Sequence, residues 1–287
     1  MKAAALRLVP SLALLISRLC HGSVDSIVMD SETMSRVDRI IARDVVPAAG
    51  QEHGDIVDRV SAAFLNTPYR ANTLQTAPAG SERLTVNFNG VDCFTFIDYV
   101  EALSRSQSRA AFLTNLADTR YVQGHISYAS RRHFFTDWSA TSPRNAVDIT
   151  ADLSPAAVTV SKQLNATRDD KRRLAGVAPV QRWIHYIPAA AISTSVLARL
   201  RTGDYLGVYS PHADLDVSHV GIVIRRDGGL WFRNASSLAA KRRVVDTPFE
   251  QAMRSWPGII VLRAPSGAAS AAFPPGTKGA VPVARGN

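Results

Sequence analysis

Cys93 lies in the run Val91-Asp92-Cys93-Phe94-Thr95-Phe96. Gly90 and Asp92 are residues that begin helices, and Phe96, Ile97, Val100 and Leu103 follow at helical spacing. The thiol is therefore expected at or just inside a helix N-terminus. Free backbone N–H groups and the helix dipole at that place favour a thiolate and lower the cysteine pKa. The same N–H groups can hold an oxyanion. A lone cysteine is more often a small buried apolar side chain, and Cys93 by itself leaves both readings open.

His219 changes that balance. It sits in Val217-Ser218-His219-Val220-Gly221-Ile222-Val223-Ile224, a strand pattern. Alternation puts Ser218, Val220, Ile222 and Ile224 on one face and His219 on the other, beside Gly221. The connection Arg225-Arg226-Asp227-Gly228-Gly229 contains Asp-Gly, a strong hairpin signal. A two-residue turn at Asp227-Gly228 pairs Arg226 with Gly229 and sets Asn234 opposite Gly221, on the face of His219. Diagonal neighbours of this kind lie about 7–8 Å apart at Cα, within side-chain reach. A three-residue loop would turn Asn234 to the wrong face. Cys93, His219 and Asn234 then read as nucleophile, general base and acid, and orienter of the imidazole. His219 as a satisfied core histidine and Asn234 as a strand-end residue are the plainer readings.

The elements that must position these groups follow from hydrophobic spacing. Residues 31–66 read as helical. Ile40, Ile41 and Val45 suit one helix ending before Pro47, and Ile56, Val57, Val60, Phe64 and Leu65 suit a second, broken at Asn66-Thr67-Pro68. Residues 71–90 are turn-rich, and 93–104 form the third helix. Residues 107–190 carry no clean period. They hold the aromatic segment Tyr128 to Trp138 and the charge cluster 168–173, read as a solvated turn. From about 204 short β-branched or aromatic runs take over: 206–209, 217–224, 230–235 and 259–262. Helices first and antiparallel strands later give an α+β domain. The stretch from 265 to 287 is rich in Ala, Gly, Pro and Ser and reads as a disordered tail.

Composition excludes several classes. Hydrophobic residues make up 46% and charged residues 20% of the 287, which is globular usage. No apolar run outside the N-terminus is long enough to span a bilayer. With two cysteines, Cys20 and Cys93, neither a disulfide framework nor a Cys-rich zinc module can form. Arg132-His133 has no second ligand at metal spacing, so no metal and no cofactor are expected. The net charge of +9 suits polyanionic partners in general. Its basic residues are scattered apart from Lys241-Arg242-Arg243, and no helix carries a basic stripe, which argues against nucleic acid. At the N-terminus, Lys2 and Arg7 precede the apolar stretch Leu8 to Ile16, and Gly22-Ser23 offers a cleavage point. Residues 1–22 therefore read as an export signal, placing the mature chain in the periplasm or cell envelope with no membrane span. Cys20 gives a lipoprotein alternative that the bulky Arg18 and Leu19 disfavour. Cleavage after Gly22 leaves Cys93 without an internal disulfide partner.

Six segments in order resemble one family: Leu65-Asn66-Thr67-Pro68-Tyr69; Asp92-Cys93-Phe94-Thr95-Phe96; Tyr128 through Trp138; Thr202-Gly203-Asp204; Asp216-Val217-Ser218-His219-Val220-Gly221; and Asn234-Ala235-Ser236-Ser237. The chain looks like the bacterial N-acetylmuramoyl-L-alanine amidase-like domain, a branch of the NlpC-type cell-wall cysteine peptidases, over roughly residues 55–262. The resemblance implies a papain-like α+β core. In it a helix bearing the cysteine packs on an antiparallel sheet bearing the histidine, here with an N-terminal helical extension over 23–54, a catalytic domain over 55–264 and a mid-chain insertion. It implies hydrolysis of an amide bond in peptidoglycan, within the stem peptide or at its junction with the sugar. Carried over, Cys93 is the nucleophile, His219 the base and Asn234 the third residue, while Tyr69, Asp92 and Ser218 are substrate-binding or oxyanion residues. Two positions depart from the family's pattern: Phe94 stands where Thr is expected, and Asn234 where His is expected. An asparagine carbonyl can still accept the imidazole N–H.

The partner expected is thus peptidoglycan or a muropeptide. Two other classes remain open. A lipid or thioester acyl hydrolase or transferase could use the same core, but the composition supplies no obvious apolar groove. A non-catalytic envelope binding protein would bury Cys93. The Tyr128 to Trp138 segment either lines a sugar-peptide groove or forms a buried aromatic cluster with a basic rim.

Overall fold

The computed structural model describes residues 27–74, 82–166 and 172–265. The segment expected to be an export signal (with Cys20), most of the 168–173 charge cluster and the stretch beyond Pro265 lie outside these residues.

Asp30, Asp92, Ser108 and Ser193 each accept a backbone N–H three residues ahead, and each opens a helix. Such caps satisfy donors that a helix start otherwise leaves unpaired. In chain order the elements begin with β1 (Ile27–Met29), α1 (Ser31–Ile40) and α2 (His53–Ala62). Next come β2 (Leu84–Val86), α3 (Cys93–Ser104) and α4 (Arg109–Arg120). The short α5 (Asp137–Ala140), β3 (Val147–Asp148) and α6 (Thr150–Leu153) follow. Two long strands, β4 (Val158–Leu164) and β5 (Val180–Pro188), lead to α7 (Thr194–Arg199). The chain ends with β6 (Tyr205–Tyr209), β7 (Val217–Arg226), β8 (Gly229–Ala235), β9 (Val244–Pro248), α8 (Phe249–Met253) and β10 (Gly258–Arg263).

An antiparallel sheet runs in the order β4-β5-β10-β6-β7-β8-β9, with β3 added beside β10. Both faces are covered. Val220, Ile222, Ile224, Ile260 and Leu262 join the core that holds α2, α3 and α4, while Leu206, Val223, Phe232 and Val261 pack under α6, α7 and α8. The α+β expectation holds, and no helix among the described residues is long and apolar enough to cross a membrane.

α3 is buried along nearly its whole length, Thr95 to Ser104. Two carboxylates go into the interior with it, each paired. Asp98 Oδ2 accepts Arg120 Nε at 2.9 Å. Glu101 Oε1 forms an ion pair with Arg105 Nε (2.7 Å), while Oε2 accepts from His53 Nε2 (2.9 Å) and the Tyr205 hydroxyl (2.6 Å). That network ties α2, α3 and β6 together. Burial alone would raise the Glu101 pKa, but Arg105, His53 and the hydrogen bonds outweigh it and hold the carboxyl down to about 2.

Residues 107–190 resolve into α4 and the β4–β5 hairpin. Lys162 reaches from β4 into the loop ahead of β7, where its Nζ donates to the carbonyls of Ser210, His212 (2.7 Å) and Leu215 (2.9 Å). Three further details differ from the sequence reading. The first helix does not stop before Pro47: a π turn over Ile41–Val45 and a 3-10 turn over Val46–Ala48 carry the chain past it. The turn-rich stretch before Gly90 contains β2, which pairs in parallel with β1. The alternation in β7 is interrupted. Val208 pairs with His219 and Tyr209 with Val217, so Ser218 is an extra residue in a bulge. Ser218 is exposed there, and it lines the same cavity as His219 rather than the opposite face.

Candidate active site

Cys93 is the first residue of α3. The helix start is fixed by a capping box: Asp92 Oδ1 accepts the N–H groups of Phe94 (3.0 Å) and Thr95 (2.7 Å), and Thr95 Oγ1 accepts the Asp92 N–H (3.0 Å). This uses two of the donors that the sequence offered to an oxyanion. The Cys93 N–H is the helix-start donor outside the cap. Cys93 keeps a partly exposed surface and is a free thiol. The Val220 N–H, one residue after His219, acts on its sulfur and favours the anion.

The expected low cysteine pKa is not found. Burial and then the Asp92 charge push the thiol up to about 12, against the opposing pull of the Val220, Cys93 and Phe94 N–H groups. The helix start does favour the anion, but the desolvated surroundings and the adjacent carboxylate win. The resting group is a neutral thiol.

The hairpin forms as its turn residues require. Asp227 and Gly228 have φ of 51° and 73°, and Arg226 pairs with Gly229. Positive φ at both central positions is the I′ geometry that Asp-Gly adopts readily. The register carries Asn234 beside His219, whose Nε2 lies 3.0 Å from Asn234 Oδ1. Asn234 Nδ2 in turn donates to the Phe232 carbonyl at 3.2 Å, which fixes the amide with its oxygen toward the ring. His219 Nε2 is therefore the protonated nitrogen and Nδ1 the bare one. Burial lowers the His219 pKa, partly offset by the Asn234 bond. Gly221 keeps this corner open: a Cβ there would come within 2.6 Å of the Phe232 ring and the Arg233 carbonyl. The Phe232 ring then stands edge-on to the imidazole, 6.0 Å between centroids.

Among the sequence-derived residues, His219 and Asn234 are bonded directly, and Cys93 opens the helix that packs against the same strand. No hydrogen bond joins the Cys93 thiol to the imidazole. Tyr69 reaches the site: after burial, the charges of Cys93 and Asp92 raise its hydroxyl pKa. Its backbone is held by Arg242, whose carbonyl accepts the Tyr69 N–H at 2.9 Å and whose guanidinium lies 5.2 Å from the ring centroid. Ser218, His219 and Asn234 share the wall of a cavity of about 470 Å³. Asp92 and Phe94 border a smaller one of about 200 Å³, with Tyr128, Arg131 and His133. The aromatic segment is chiefly a buried cluster. Trp138 and Phe135 are fully buried, and Arg132 donates to the carbonyls of Asp118, Tyr121 and Pro143. Its rim alone faces the smaller cavity. Among the described residues no group of His, Cys, Asp and Glu is arranged to hold a metal.

The pattern of the AmiA-like, N-acetylmuramoyl-L-alanine amidase-like family matches residues 59–259. The chain belongs to this family. The amidase-like chain is 30% identical to a Bacteroides uniformis N-acetylmuramoyl-L-alanine amidase of known structure, with a TM-score of 0.64 over 74% of this chain and 99% of that one. A Legionella pneumophila protein superposes with a TM-score of 0.68 over 82% and 95% of the two chains, and at 22% identity that likeness bears on the fold alone. A Bacteroides fragilis protein carrying the name of a xylanase is 30% identical, with a TM-score of 0.57 over 71% and 98%. None of the curated proteins compared with the chain matches it.

Sequence reasoning passed over Thr95, Lys241, Arg242 and Trp256. Thr95 completes the cap, and Lys241 and Trp256 line the larger cavity. The Lys241-Arg242-Arg243 run was the visible signal, read only as surface charge. The cap supports one expectation in this amidase-like protein. Asn at position 92 keeps a capping oxygen but loses the charge that raises the thiol pKa. Asp92→Asn should therefore speed alkylation of Cys93 by iodoacetamide at pH 8 several-fold while leaving the unfolding midpoint within a few degrees. An unchanged rate would show that the carboxylate does not control the thiol.

Proposed function

We propose that this protein is an exported cysteine amidase that hydrolyses an amide bond of peptidoglycan, built on a papain-like core of the NlpC type. The observation that carries the reading is the His219–Asn234 bond, which leaves Nδ1 unprotonated on β7, the strand against which the Cys93 helix packs. Family membership supplies the substrate class.

In this reading both partners begin neutral. As the Cys93 sulfur bonds to the carbonyl carbon, its proton passes to His219 Nδ1, and the carbonyl oxygen takes up the negative charge. The Cys93 N–H and the Tyr69 hydroxyl are the donors for that oxyanion, with Ser218 on the substrate wall and Asp92 holding the helix start. The imidazolium then gives its proton to the amide nitrogen as the C–N bond breaks, leaving a thioester. Water attacks the thioester, losing a proton to Nδ1, and the acid leaves as the thiol reforms. Asn234 keeps the ring in the required tautomer throughout.

A glycosidase, the activity in the name of the Bacteroides fragilis relative, would need two carboxyl groups facing each other across about 5–10 Å. The described wall of the larger cavity has no Asp or Glu.

Mass spectrometry of purified muropeptides after incubation tests the reading. The expected products carry a new amine and a new carboxyl group; intact muropeptides would sink it. The lowered His219 pKa also sets the acid limb. The imidazole accepts a proton only when neutral, so kcat/KM should hold below pH 6.5 and fall only as pH drops through the depressed pKa. A limb above pH 6.5 would point to a different base.

A further inference from the structure

Two cavities, one walled by His219 and one by the residues flanking Cys93, differ in chemistry. Their positions relative to the imidazole assign them different halves of the substrate. In the reaction proposed above, the leaving amine takes its proton from His219. The departing half must therefore lie on the imidazole side, where the cavity of about 470 Å³ is walled by His219, Asn234 and Ser218. The smaller cavity borders Asp92 and Phe94 instead and does not include the imidazole.

The far wall of the larger cavity is mostly neutral, with Thr247, Gln251 and Trp256. One cation faces it among the described residues, Lys241. The Lys241 Nζ donates to Thr247 Oγ1 at 2.9 Å, which uses one of its three N–H donors and aims the ammonium. No carboxylate in the described lining competes for the rest. The next residue, Arg242, lies over the Tyr69 ring instead, 5.2 Å from its centroid.

We propose that this cavity receives the leaving-group peptide and that Lys241 binds a carboxylate on it. The assignment deepens the amidase reading and rests on it. It means that the enzyme selects amide bonds whose amine side continues into an acidic peptide, and that a neutral amine is a poor leaving group because it leaves the ammonium unpaired.

The test compares N-acetylmuramoyl-L-alanyl-D-glutamate with the same compound bearing both carboxylates as carboxamides. Wild-type enzyme is expected to favour the free acid about tenfold in kcat/KM, mostly through KM, and the preference should shrink as salt rises. Lys241→Met should treat the two compounds alike, and Lys241→Arg should keep a preference. In parallel, L-alanyl-D-glutamate and its diamide are titrated into Cys93→Ala protein, a readout that needs no turnover. Tighter binding of the free acid, lost in the Cys93→Ala, Lys241→Met double variant, supports the assignment. Equal binding of the two peptides, or a preference that survives Lys241→Met, overturns it. Failure of wild-type protein to cleave either compound counts against cleavage at the junction with the sugar, and the titration still judges Lys241.

Discussion

Cys93→Ser is expected to reduce muropeptide hydrolysis by about a thousandfold or more, although the two side chains differ by one atom. The reason lies in the proton inventory of the site. The Cys93 thiol is already held up to about 12 by burial and by Asp92, and the His219 pKa is lowered by its own burial. In the proposed mechanism the imidazole is a weak base and the thiol a weak acid, so attack relies on the intrinsic nucleophilicity of sulfur as its proton leaves. A hydroxyl is a still weaker acid and a poorer nucleophile, so the same base cannot activate it. Cys93→Ala should match the serine variant, and both should unfold near the wild-type midpoint, since Cys93 is not part of the cap. Release of new amines, followed by mass spectrometry, provides the measurement. Turnover by Cys93→Ser within tenfold of wild type would end the claim that sulfur is the attacking atom.

Glu101→Gln should cost the fold about 3 kcal/mol near pH 6, from a carboxyl pKa moved from 4.5 to about 2. The glutamine can keep some hydrogen bonds to Tyr205 and His53 but not the charge that Arg105 and His53 face. The sign with pH is fixed by the direction of the shift. A depressed carboxylate pKa contributes stability in full above 4.5 and loses it as pH falls toward 2. The His53 pKa is raised: burial opposes this, but the Glu101 charge and hydrogen bond prevail. Its share is present below 6.5 and fades as pH rises through the elevated value. The two shifts describe one interaction and do not add. Urea titrations of both proteins from about pH 3 to pH 8 should show the widest gap in midpoint near pH 5–6, closing on the acid side. A gap of constant width down to pH 3 would mean that the variant loses packing rather than charge.

Local rules reached far at the hairpin and failed at the cysteine. Asp227-Gly228 dictated its own turn, and the turn dictated the register that brings Asn234 to His219, so that pair was legible from a dozen residues. The position of Cys93 was legible for the same reason, because Asp92 and Thr95 form the cap locally. Its ionisation was not. The helix start is a local feature, but desolvation comes from β7, and the Asp92 that makes the cap also repels the thiolate. The bulge at Ser218 escaped because it exists only in the pairing with β6, which the residue pattern along β7 does not record. The β4–β5 hairpin escaped because its strands mix exposed Trp183 and Val180 with buried Ile184 and Leu164, and its polar residues point both ways. Arg120, Arg132 and Arg233 look like surface residues in the sequence and are buried here, each paired to carbonyls or carboxylates that no local pattern reveals.

The reach of Lys162 bears on how this domain could be trimmed or grafted. An engineer seeking a minimal catalytic unit would see the β4–β5 hairpin as an ornament on the sheet's rim and cut it first. That cut would withdraw an ammonium that grips three carbonyls in the approach to β7, leaving the lead into the histidine strand held mainly by the Asp216–Thr136 bonds. The hairpin thus braces the lead into the His219 strand, and any transplant that preserves the cysteine helix and the histidine strand should carry it along.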